Sequence, residues 1–195
     1  MTFDPRLEEG LRQAFKYGNR GMLLLWRLGL GPSLSFWPEV GGRILVISHL
    51  GRKSGRKRHV PLNYAQIEGD LYITAGFGPI ADWYKNLMAH PQTEVWLPEG
   101  SWAATVEDVS AAQNRLPLLR QVLIGSGVVA NLFGIDPLKM PDAELEVLTK
   151  TYRLLRIRRT YPLTGSDAPG DLAWIWPLAT LLLVVYGLAC KRKSA

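Results

Sequence analysis

Residues 50–64 read LGRKSGRKRHVPLNY, and the fold turns on how this stretch is placed. Five cations, Arg52, Lys53, Arg56, Lys57 and Arg58, fall within seven residues, jointed by Gly51 and Gly55 and joined by the hydroxyl of Ser54. Upstream stands the β-branched-rich run Ile44–Ile47, and downstream an alternating run extends from His59 to Ile67. A cationic, glycine-jointed loop between two strands is a candidate anion clamp. Arginine offers forked contacts to phosphate, and turn N–H groups beside glycine can form an anion nest.

Working outward, Pro61 cannot donate a ladder hydrogen bond, so it marks an edge or bulge in the second strand. Glu68-Gly69-Asp70 predicts a three-residue hairpin turn into a third strand, Leu71–Ala75. The glycine-bearing loop 76–80 leads to a short helix, DWYKNLMAH, capped by Asp82 and stopped by Pro91. Thr93–Leu97 and Ser101–Val109 alternate as a second hairpin, with one face packed and one wet. A helical pattern runs from Ser110 to Ile124, 125–133 gives no clear pattern, a short acidic-fronted helix covers Asp142–Thr149, and YRLLRIRR, Tyr152–Arg159, reads as the last strand. The class is α+β, an antiparallel meander with flanking helices.

At the N-terminus, Asp4-Pro5 predicts the start of a helix, and Gly18 and Gly21 predict its division into two pieces, the second ending at Gly31-Pro32. At the other end, 161–171 has a linker's Pro and Gly content. Then Leu172–Cys190 gives nineteen uncharged residues, and Lys191, Arg192 and Lys193 follow. Nineteen residues of helix reach roughly 28 Å, so the stretch predicts a C-terminal transmembrane helix and membrane lipid as a partner. The expected organisation is a body over 1–160, a linker over 161–171, an anchor over 172–190 and a basic tail over 191–195. The opening MTFDPRLEEG lacks a signal peptide's apolar core, so the expectation is a single-pass cell-membrane protein with its body on the cytoplasmic face.

The whole chain is 195 residues, 47% hydrophobic and 21% charged, which fits one folded domain and excludes disorder. Half of the net charge of +6 comes from the three terminal cations, so basicity is local. No acid lies between Glu39 and Glu68, and the loop sits inside that window. One cysteine, Cys190, excludes an intrachain disulfide and a cysteine-built metal site. The three histidines, His49, His59 and His90, have no metal spacing, and no nucleophile or nucleotide motif occurs, so no metal is expected and no catalytic side chain is assigned. A loop with so few aromatics is a poor nucleic-acid grip. Chemistry is expected to reside in a bound cofactor.

Two motifs then narrow the reading. Gly51, Arg52, Lys53, Ser54, Gly55, Arg58, Pro61 and Leu62 match G-R-K-[ST]-G-x-x-R-x-x-P-L, and Trp83, Tyr84, Asn86, Leu87 and Pro91 match W-Y-x-N-L-x-x-x-P. Over about Ile44 to Val109 the chain resembles the deazaflavin (F420)-dependent nitroreductase family, relatives of the FMN-binding pyridoxamine-phosphate-oxidase-like proteins. The resemblance implies an antiparallel split β-barrel and F420 as cofactor, with FMN as the alternative. It implies phosphate contacts from Arg52, Lys53, Ser54, Gly55 and Arg58, and a ring against the backbone of Pro61, Leu62 and Asn63. Trp83 and Asn86 would border the cofactor tail or support the loop. Barrels of this kind often form homodimers.

The chain departs from the nitroreducing members after the third strand, where Gly76 and Phe77 stand in place of serine and lysine, and no tyrosines occupy Leu116–Phe133. Apolar replacements beside an anchor point to a quinone-like or other hydrophobic conjugated acceptor of a hydride from reduced F420. A non-catalytic flavin, haem or lipid binder on the same barrel is the alternative, and a charge-patch adaptor is a third reading.

Overall fold

The computed structural model describes residues 17–33, 41–165 and 168–193. The expected helix start at Asp4-Pro5 lies outside the described residues.

Six strands form the body: β1 (Ile44–Leu50), β2 (Lys57–Ile67), β3 (Asp70–Ala75), β4 (Gln92–Leu97), β5 (Gly100–Asp108) and β6 (Arg153–Leu163). They close into an antiparallel barrel in the order β1-β2-β3-β6-β5-β4. Period-two alternation decides which side chains enter it. Leu45 and Ile47 of β1, Leu71 and Ile73 of β3, and Leu155 and Ile157 of β6 meet in the interior cluster. The intervening Ala65, Tyr72 and Leu154 point outward beneath helices.

Those helices are α1 (17–27), α2 (Asp82–Ala89), α3 (Arg115–Ile124), α4 (Val129–Leu132), α5 (Asp142–Leu148) and α6 (Ile175–Lys193). α3, α4 and α5 supply Leu119, Val122, Leu123, Ala130 and Leu145 to the cluster outside β2, β3 and β6. On another face, Trp26 of α1 is buried with Val46 and Trp96. α2 packs against β1 and β5. Its Leu87 is fully buried in the interior cluster, and the Tyr84 hydroxyl donates to Asp108 at 2.5 Å.

Several local expectations change. Ile67 pairs directly with Asp70, so the hairpin turn has two residues, Glu68 and Gly69. Their φ values of 52° and 90° suit the primed turns that match strand twist. α1 runs unbroken through Gly18 and Gly21, a propensity cost of about 1 kcal/mol each that docking through Met22, Leu23 and Trp26 offsets. β1 and β2 are longer than their apolar runs, because inter-strand bonds extend the ladder to Leu50↔Lys57 and shorten the loop to 51–56.

The transmembrane helix is a correction. Leu172–Trp174 form turns, and the helix starts at Ile175 and carries Lys191, Arg192 and Lys193 within its own length. Its uncharged part, 175–190, reaches only roughly 24 Å. Among the described residues no helix is long and apolar enough to cross a membrane. Its entry is tied to α1: Arg27 forms a forked pair with Asp171, the closest contact 2.7 Å, and the Trp176 indole donates to the Leu28 carbonyl at 2.9 Å. Leu181, Leu182, Val184, Val185 and Tyr186 are exposed.

Candidate cofactor site

The two sequence motifs meet in space. The loop 51–56 closes through Gly51 N–H to the Arg56 carbonyl at 2.9 Å and Gly55 N–H to the Gly51 carbonyl at 2.7 Å. Gly55 has φ +61°, and a side chain on buried Gly51 would lie 2.5 Å from Ser54 Oγ. Glycine at both positions follows from the tightness of this turn. The Ser54 hydroxyl accepts from Arg56 N–H at 3.4 Å.

Arg52 is held from α2. The Asn86 Oδ1 accepts from the Arg52 backbone N–H at 3.1 Å and from its Nη1 at 3.0 Å, while Nη2 meets Asp82 Oδ1 at 3.0 Å. Asn86 is only 5% exposed, and these bonds make it a support of the loop. Asp82 lies in the first turn of α2 without capping it, and its carboxylate serves Arg52. Behind Asn86 stands His49, 7% exposed, with Nδ1 3.1 Å from Asn86 Nδ2. Burial, then the charges of Arg58 and His59, push the His49 imidazole down to about 4, against the opposing pull of Asp82. Sequence reading assigned His49 no role, since nothing in the chain signals a partner 37 residues away.

The remaining cations divide by partner. Lys57 pairs with Glu94 at 2.7 Å. Lys53, Arg56 and Arg58 are exposed and form no ion pair with a described residue. Next to them, β2 changes neighbours: Lys57 to Asn63 ladder with β1, and Tyr64 to Ile67 with β3. One edge of β2 therefore has no strand partner between Lys57 and Asn63, which is where Pro61 can stand at no cost in ladder bonds.

Pro61 is buried, and Leu62 and Asn63 are half-buried, with Leu62 packed on the interior cluster. The Asn63 amide donates to the Gly41 carbonyl at 3.1 Å. Trp83 is half-buried against the interior cluster, so it seats α2. The loop after β3 brings Phe77 edge-on to Phe133, with ring centroids 6.5 Å apart. Ser48 Oγ lies 2.9 Å from His59 Nδ1, and that imidazole stacks on Trp96 at 4.7 Å. Among the described residues no group of side chains could hold a metal ion. A concavity of about 470 Å³ opens among β1, β4, β5 and β6, lined by Leu50, Thr105, Tyr161 and the Lys57–Glu94 pair. It adjoins the base of the loop, and Lys53, Arg56 and Arg58 do not line it.

A glycine turn with exposed cations beside an unladdered strand edge is a geometry suited to a phosphorylated, planar ligand. Residues 35–125 match the model of the F420H(2)-dependent quinone reductase family. The matched segment, somewhat under half of the chain, contains both motifs. The chain is therefore an F420-dependent oxidoreductase, and F420 is its cofactor. The residues present fit this group: cations without described partners, turn amides and an open backbone edge suit a phosphate-bearing tail and a flat ring.

Comparison with curated proteins gives no match. Among solved structures, the chain is similar to the F420-H2 dependent reductase FDR-A, at 21% identity over 60% of this chain and 94% of that one, TM-score 0.42. It is also similar to the haem storage protein HutZ of Vibrio cholerae, at 14% identity over 63% and 83%, TM-score 0.44. A putative pyridoxamine 5'-phosphate oxidase from Listeria innocua matches at 7% identity over 61% and 85%, TM-score 0.43. Likeness at this level says nothing about ligand or substrate.

Proposed function

We propose that this protein reduces a quinone-like or other hydrophobic conjugated acceptor, with F420 held by the loop 51–58 and the free edge of β2. The observation that carries the reading is the set of exposed cations, Lys53, Arg56 and Arg58, placed beside a strand edge that has no strand partner. Reduced F420, when bound, supplies a hydride. The protein's own part is to hold and orient. Lys53, Ser54, Gly55 and Arg58 engage the phosphate with Arg52 set by Asn86, and the backbone of Pro61, Leu62 and Asn63 supports the ring. Alignment of this kind removes the entropic cost of bringing two planar molecules together.

An apolar acceptor is supported by the edge that Phe77 and Phe133 form, near exposed Ile80 and Leu132. A quinone taking the hydride and one proton becomes the hydroquinone. Association with the cytoplasmic membrane surface belongs to the same proposal, through the exposed apolar side chains of α6. Pairing of two copies is the assembly expected of such a barrel.

The test is a fluorescence titration of F420 into the full chain, with Lys53→Ala/Arg58→Ala as the comparison. Loss of two charge-assisted contacts of about 2 kcal/mol each predicts weakening of the order of several hundredfold. Unchanged affinity refutes the clamp. Oxidation of reduced F420 by menadione tests the acceptor, and flotation with vesicles, lost in Leu182→Glu/Val185→Glu, tests the surface. Failure of either leaves the clamp standing.

A further inference from the structure

The Asn86 amide stands between two groups that fix its orientation. On one side it meets the Arg52 backbone N–H at 3.1 Å and the Arg52 guanidinium at 3.0 Å, both of which can only donate. Its oxygen must face them, so its NH₂ faces His49 Nδ1 at 3.1 Å. That nitrogen must then accept, which puts the imidazole proton on Nε2. Each link of the chain His49–Asn86–Arg52 is determined by the donor and acceptor inventory.

His49 sits at the end of β1 on the face shared with Leu45 and Ile47, and its register partner on β2 is Arg58. It thus lies behind the loop and beside Arg58, and is itself nearly buried. We propose that His49 is a positioning residue for the cofactor clamp: as a neutral acceptor at Nδ1 it locks the Asn86 amide, which holds the Arg52 end of the loop in its anion-binding shape before the cofactor arrives. The inference rests on the reading of the loop as the F420 clamp. The low proton affinity of the imidazole agrees with it, since a proton at Nδ1 would oppose the Asn86 NH₂.

Two substitutions separate this role from packing. His49→Leu removes the acceptor, and His49→Asn can present a carbonyl oxygen near the place of Nδ1. Hydrogen exchange of the Arg52 amide is measured in the cofactor-free full chain, below the melting temperature of each variant, and F420 affinity is measured alongside. The expected result is about tenfold faster Arg52 exchange and about tenfold weaker F420 binding in His49→Leu, with His49→Asn within about threefold of the parent in both. Unchanged Arg52 exchange in His49→Leu overturns the proposal, as does a His49→Asn variant disturbed as much as His49→Leu. If Arg52 exchange responds as expected while F420 affinity answers to neither His49→Leu nor Lys53→Ala/Arg58→Ala, the positioning stands and the clamp reading fails.

Discussion

Two arginine-rich segments of this chain differ in what surrounds them. β6 carries Arg156, Arg158 and Arg159 within four residues, a density close to that of the loop. There, Arg156 meets Glu107 at 2.5 Å and Asp70 at 4.0 Å, Arg158 meets Asp70 at 3.7 Å, and Arg159 meets Glu99 at 3.1 Å while lying over the Trp102 ring. In the loop only Arg52 and Lys57 have carboxylate partners among the described residues, and Lys53, Arg56 and Arg58 do not. Charge density is therefore a poor indicator of a site. An acid-free stretch of sequence is no better, since the β6 arginines also stand in one, from 147 to 166. What separates the two segments is whether the fold brings a carboxylate into reach, because a cation without one stays available to an incoming anion.

The largest expected effect tests that contrast directly. Lys53→Ala/Arg58→Ala should weaken F420 binding by orders of magnitude, whereas Arg156→Ala/Arg158→Ala should leave the affinity within about twofold and lower stability by about 1 kcal/mol. Equal losses of affinity in the two double variants would break the comparison. Salt sharpens it further: F420 binding should weaken as ionic strength rises, since exposed cations are screened over about 10 Å at 0.1 M.

A second prediction uses protons. The groups around His49 are Arg58 and His59 on β2, and Asp82 and Asn86 on α2. Its folded pKa of about 4 lies below the ordinary 6.5, so between these values the unfolded chain binds the proton more readily. The histidine costs no stability above about pH 6.5 and an increasing amount as pH falls, up to roughly 3 kcal/mol by pH 4. Denaturant melts of the parent should therefore lose more stability from pH 7 to pH 5 than those of His49→Asn. Parallel curves would show that His49 carries no proton-linked penalty.

What could be read from the sequence follows the same division. Strand positions were legible because period-two burial needs only local residues, as in Leu71-Tyr72-Ile73 with its inward, outward, inward faces. Lys53 and Arg58 stood out because the glycine-jointed run of cations that carries them is contiguous in the chain. His49 did not, because its meaning depends on α2 arriving 37 residues later and aiming Asn86 at it. The C-terminal stretch misled for a different reason. Hydropathy measures how apolar the residues are, while the helix start at Ile175 is fixed by the Arg27–Asp171 pair and the Trp176 contact to Leu28, both more than 140 residues apart in sequence.

The smallest effect probes the paired side of the comparison. The hydrogen bond from Arg156 holds the Glu107 carboxyl below its ordinary value, so its contribution is present above about pH 4.5 and lost as acid protonates it. Glu107 is exposed, and solvent screens the pair, so Glu107→Gln should cost only about 0.5 kcal/mol in thermal melts at neutral pH. The window is distinct from that of His49, whose penalty has already developed before Glu107 begins to titrate. F420 affinity should not change, because Asp70 still faces Arg156 and Arg158 after the substitution. A Glu107→Gln variant that binds a second equivalent of F420 would mean that freeing one strand arginine is enough to make an anion site. Partner loss alone would then convert structural cations into binding ones, without the glycine turn or the open edge of β2.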